Sequence, residues 1–251
     1  MSDDTNSKPE HSDWKSLSRV GGVAALLAGL LFRRNLAAEI GLFINQQSPE
    51  TVSDWFTLLQ GNRLLGLAYL NIFDLLNYAL VGLIFLSLYA TLNRVNKGYL
   101  AVAATFALIG VGVYFASNTA LSMLALSDQY AGATTEAHRT QLLSAGEALL
   151  VLNRFCGPGA HPGSGGYLSL LLIALAGMIT SIIMLRSDLF SRGTAVVGIL
   201  ASGFDLGYCI AYLFVPGVDS VLLVVIFIPA AGLFLMIWHL MVGWRLFRLG
   251  K

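Results

Sequence analysis

Two aspartates lie inside apolar runs of this chain, and the search for chemistry starts from them. Asp74 stands in NIFDLLNY, where Asn71, Asp74, Asn77 and Tyr78 recur at steps of three and four and so share one helix face. Asp205 stands in GFDLGYCIAY, with Tyr208 and Tyr212 following on its face. A carboxylate in hydrocarbon costs about 2.5–3.5 kcal/mol on insertion scales, so such groups pair or mark the route of an ion or solute. Asn118, in YFASNTA, and Tyr114 one turn earlier belong to the next apolar run. Arg33 and Arg34 follow the first run and are the cations available to neutralise an aspartate. Two chemistries fit these residues. They line one shared polar pocket that handles a small molecule or ion, or they are hydrogen-bonded glue between helices.

The rest of the chain offers no catalytic constellation. HExxH, GxSxG, a Walker-type loop and a GxGxxG after a strand are all missing. His161 has only Cys156 near it, in the glycine-rich stretch CGPGAHPGSGG, while Cys209 lies in an apolar run. Neither a disulfide nor a metal site is expected, and no cofactor and no catalytic residue is assigned. His239, beside Trp238, reads as an interfacial residue near the inner end of the last apolar run, and Pro229 as a kink within that run. A net charge of +1 provides no basic face for nucleic acid.

The elements that must position these residues are membrane helices. Of 251 residues, 56% are apolar and 12% charged, about half the charged share of a soluble domain. Runs of about 20 apolar residues suffice to cross hydrocarbon as helix. The runs fall at about 20–44, 64–92, 99–126, 167–185, 194–214 and 220–244, after a polar tail over 1–16 that reads as disordered. The first is ambiguous: either it is short and Arg33 and Arg34 snorkel to headgroups, or it continues to about Ile44 with both arginines at depth. The connection 127–166 holds helix formers over Thr134 to Leu152, read as an amphipathic interfacial helix, and then a flexible linker.

The positive-inside bias sets the orientation. With the amino terminus inside, ten of the fifteen Lys and Arg face inward, and Arg33, Arg34, Arg63, Arg139 and Arg154 face outward. The expectation is an all-α bundle of six spans in the plasma membrane, with both termini cytoplasmic and 127–166 outside. Asp74 then lies about a third of the way in from outside, level with Asn118, and Asp205 near the middle. The expected partners are the lipid bilayer and, on the pocket reading, a small molecule or ion. A structural or accessory role is slightly favoured over that reading, and an enzyme is not expected.

The stretch NRLLGLAYLNIFDLLNYALVGLIFLSLYATLNRVNKGYLA resembles the second span of a bacterial multi-pass membrane family catalogued as domain of unknown function 4386. The features that carry the likeness are Arg63, Asp74 and the run from Leu92 to Asn96. The end of the chain, with Pro216 and Pro229, is similar to that family's last hairpin. Two departures stand out: MIWHLMVG lies where the family often has a glutamate, and the loop from Cys156 to Gly166 is unusual. The resemblance implies a six-helix membrane fold and no particular activity.

Overall fold

The computed structural model describes residues 15–31, 49, 51–153, 163–214 and 226–250. Among them the regular elements are all helices: α1 (15–31), α2 (Val52–Gly61), α3 (Arg63–Tyr69), α4 (Ile72–Ser117), α5 (Ala120–Gly132), α6 (Glu136–Asn153), α7 (Ser164–Met184), α8 (Arg192–Phe214) and α9 (Ile228–Leu249). Four helical runs are long and apolar enough to cross a membrane: Ile72–Gly132, Ser164–Met184, Arg192–Phe214 and Ile228–Leu249. Their outward faces carry Val102, Ile109, Ile182, Leu200, Ile210 and Leu233, all exposed. A soluble bundle would place charge there; an outside of this kind is matched to lipid. Arg33, Arg34, Cys156, His161 and Pro216 lie outside the described residues.

The longest helix is not one rod. A straight helix of 46 residues would run about 69 Å. Instead the Tyr114 hydroxyl reaches Asp74 at 3.3 Å, and the Tyr114 ring stacks on Tyr78 with centroids 3.7 Å apart. The chain reverses at Asn96, whose φ of −158° and ψ of 92° are non-helical. Its side-chain oxygen accepts from the Tyr99 N–H at 3.2 Å and so starts the second limb. Residues 72–95 and 97–117 are therefore the two limbs of an antiparallel hairpin, turned in the polar segment between the second and third apolar runs.

The hairpin is shorter than the apolar runs. The first limb begins at Ile72 rather than at 64, because Asn71 takes a left-handed conformation with φ of 60°. Asparagine tolerates that region better than other side-chain-bearing residues. The second limb ends at Ser117, where Asn118 turns extended, rather than at 126. The segments cut off this way, α3 and α5, join α2 and α6 in a separate cluster around Val52, Phe56, Leu59 and Met123. Gln60 donates to the Ser127 carbonyl and Ser127 to the Phe56 carbonyl, both at 3.2 Å, which ties α2 to α5. The helix expected over 134–152 is α6, and it packs on this cluster; residues 127–132, expected as loop, continue α5.

The remaining limbs close into a ring. On the first limb, the Ser87 hydroxyl donates to the Leu17 carbonyl of α1 at 2.9 Å, and the Ser18 and Thr91 hydroxyls lie 3.2 Å apart. From α7, Ser169 donates to the Gly110 carbonyl of the second limb at 2.8 Å. Phe204 of α8 stacks on Phe234 of α9, with centroids 5.7 Å apart. The ring closes where α9 meets α1. A Cβ on Gly22 would lie 2.6 Å from the Phe247 backbone nitrogen, and one on Gly243 would lie 2.9 Å from that of Leu26. Only glycine lets the two backbones approach so closely. Ala25, Ala28, Ile84, Leu88, Met184, Trp238 and Val242 fill the interior.

Pro229 stands in the first turn of α9, directly behind a π turn at residues 226–227; the residues before 226 lie outside those described.

Candidate functional site

Asp74 is the third residue of α4, and the free N–H groups of a first helical turn favour a carboxylate there. Its own N–H donates to the Asn71 carbonyl at 3.1 Å. From the other limb, Tyr114 donates to Asp74, and the Asn118 amide donates to the Asn71 carbonyl at 3.3 Å. The side-chain oxygen of Asn118 accepts from the Ala120 N–H at 3.1 Å. Asn71, Asp74, Tyr78 and Asn118 are thus brought together as a hydrogen-bonded joint between two helix ends. Asn77 is buried on the same limb, and its side-chain oxygen has no partner among the described residues.

Asp205 stands elsewhere. It lines a cavity enclosed by the first limb of α4, α7, α8 and α9, walled by Val81, Phe85, Ile173, Gly177, Trp238 and His239. Val81 and Phe85 lie seven and eleven residues beyond Asp74 on one helix, roughly 10–16 Å along its axis. Among the described residues no hydrogen bond or ion pair joins the Asp74 group to Asp205, and none reaches the Asp205 carboxylate at all. Tyr208 is buried with Cys209 in a third cluster; it stacks near Tyr212, while Tyr167 donates to the Cys209 carbonyl at 3.1 Å.

The cavity is small. The space open to the centres of water molecules is about 30 Å³. One water needs about 10–15 Å³ by that measure, so the cavity has room for about two. Its polar side chains come from two adjacent turns of α8 and one turn of α9. Gly198, Ser202 and Asp205 follow at steps of four and three, which puts them on one face. Across from them, Trp238 and His239 are 2% and 1% exposed. The Trp238 indole nitrogen and the Ser181 hydroxyl are buried without a partner among the described residues, and both crowd the place where a Gly198 side chain would be.

His239 is therefore not interfacial. The reading by depth placed it near the end of a span over 220–244, whereas α9 runs from Ile228 to Leu249 and puts His239 at its middle. Trp238 and Ser202 carried no sequence signal beyond lying on apolar helices. Among the described residues no cluster of three His, Cys, Asp or Glu is placed to hold a metal.

The fold and its two polar clusters define an all-helical bundle, apolar enough in four of its helical runs for a membrane protein. More particularly, the chain belongs to the family described as Domain of unknown function (DUF4386), which it matches over residues 20–244. No curated protein and no solved structure matches it.

Proposed function

We propose that this chain is a plasma-membrane protein of six spans with both termini cytoplasmic, and that it takes up a small cation, a proton included, at Asp205. The six spans are α1, the two limbs of α4, α7, α8 and α9. The reading rests on one observation: the Asp205 carboxylate lines an interior cavity and has no protein partner among the described residues. A carboxylate kept as glue would be paired, as Asp74 is with Tyr114. An unpaired one in an apolar bundle is costly and is retained for what it binds. The space for about two waters is too small for an organic solute.

The structural or accessory role has its own support in the hydrogen bonds of Ser87 to Leu17 and Ser169 to Gly110, which join helices and serve no pocket. Thermal unfolding of the purified full-length protein separates the two readings. Scans across pH, and in sodium, potassium or calcium chloride, are expected to show a stabilising response to one of these cations in the wild type. Asp205→Asn is expected to lose that response. Equal responses in both proteins would return the chain to a structural role.

A further inference from the structure

We infer that the species taken up at Asp205 is a proton, delivered through a pair of water molecules held in the cavity by Ser202 and Trp238. The inference rests on the cation-binding reading above and narrows it.

The donors and acceptors around the cavity discriminate between ligands. A bare metal ion of the calcium or magnesium type needs six or more oxygens in place of its hydration shell. The side chains lining this cavity supply the Asp205 carboxylate and the Ser202 hydroxyl. Trp238 adds an indole N–H, which only donates and so repels a cation. Water fits all three groups: it accepts from Trp238 and donates to Asp205 and Ser202. A buried N–H without a protein partner is the kind of group that ordered water satisfies, and Trp238 Nε1 is one.

The polar face continues toward one end of the bundle. Ser191, Thr194, Gly198, Ser202 and Asp205 follow at steps of three, four, four and three, which keeps them in one row. Thr194 is buried, and its hydroxyl lies 2.9 Å from that of Ser191. Opposite the row, α7 presents Ser181 and Gly177; a Cβ at Gly177 would lie 2.6 Å from the Ser202 hydroxyl. Gly198 is the narrow point. A side chain there would collide with the Ser181 hydroxyl and the Trp238 indole, so only glycine lets these two groups close on α8 at the edge of the cavity.

The groups facing Asp205 can be named element by element. The first limb of α4 presents Val81 and Phe85, and α7 presents Ile173, Ala174 and Gly177; none of these titrates. From α9 comes His239, held against the Leu235 carbonyl of the preceding turn, and on α8 itself Cys209 stands one turn on. The chemistry is one proton transfer: a hydronium in the cavity gives its proton, through the second water, to the carboxylate. Carboxylic acid and water result, and no other bond changes.

Difference infrared spectroscopy of the full-length protein in lipid nanodiscs, read across a step to acid pH, tests the inference. The wild type is expected to gain a carboxylic acid C=O band that Asp205→Asn lacks. The band is expected to persist but shift in frequency in Trp238→Phe and Ser202→Ala, which keep the carboxyl and remove a water partner. A band unmoved in both variants would overturn the water link. Loss of the band on adding sodium chloride at constant pH would overturn the proton as ligand and leave cation binding standing. A spectrum identical in wild type and Asp205→Asn at every pH and salt would overturn both.

Discussion

Tyr114 donates its hydroxyl to Asp74 at 3.3 Å across a sequence separation of 40 residues, which fixes the two limbs of α4 in register. Tyr114→Phe keeps the ring that stacks on Tyr78 and removes only the donor. A hydrogen bond to a charged group contributes about 1.5–3 kcal/mol, and a loss of that order is expected in unfolding titrations with sodium dodecyl sulfate. Adding Asp74→Asn should cost less than the two single changes summed, because the groups act as a pair. Full additivity would mean that they do not interact.

The contact between α1 and α9 depends on the absence of side chains. Gly243→Leu forces backbones apart where a Cβ already falls 2.9 Å from the Leu26 nitrogen, and a cost of about 1–3 kcal/mol is expected. Gly112→Ala is the control, since a Cβ there meets nothing within 4 Å. That change is expected to be neutral, or to stabilise by up to about 1 kcal/mol through helix propensity. Equal losses at both sites would mean that the close approach does not matter.

Single cysteines, placed in a chain with Cys156→Ser and Cys209→Ser, report the sidedness. Lys97 stands just past the Asn96 reversal and Asp188 between α7 and α8; Arg63 and Glu136 belong to the opposite end. A membrane-impermeant maleimide added to intact cells is expected to label Arg63→Cys and Glu136→Cys. It should label Lys97→Cys and Asp188→Cys only after permeabilisation. Labelling of Lys97→Cys in intact cells would reverse the orientation.

Trp238→Phe and Ser181→Ala each remove a buried polar atom that no described residue satisfies. Without a water between them, both changes should leave stability unchanged or raise it, since an unsatisfied buried group is a cost. With a water there, each is expected to lose about 1 kcal/mol in thermal unfolding. A gain in either variant would leave the site dry.

The apolar character of the helices was legible in composition, and the reversal at Asn96 in the polar segment around it. The helix ends at Asn71 and Asn118 were not. Apolar residues continue through both breaks, in LGLAYLN and TALSMLAL, so hydropathy does not register them. The asparagines at these breaks were read as pocket polarity, whereas Asn71 turns by its left-handed backbone and Asn118 spends both ends of its amide on backbone groups. Asp205 stood out as a charge in an apolar run. Its surroundings did not, because Trp238 and His239 reach it only through the way α9 lies against α8. Counting depth along the run put His239 at the rim, because the packing of α9 on α8 that buries it does not show in the run itself.

The glycine seam between α1 and α9 also sets the order of assembly. In chain order α1 comes well before α9, its close partner across the glycine seam. While the intervening helices are synthesised, Gly22 and Gly29 face no partner of their own, and Ser87 can hold α1 only once the first limb of α4 has arrived. The bundle is a clasp that shuts only once α9 has been made, so a chain truncated before Ile228 would keep its hairpin and lose its ring.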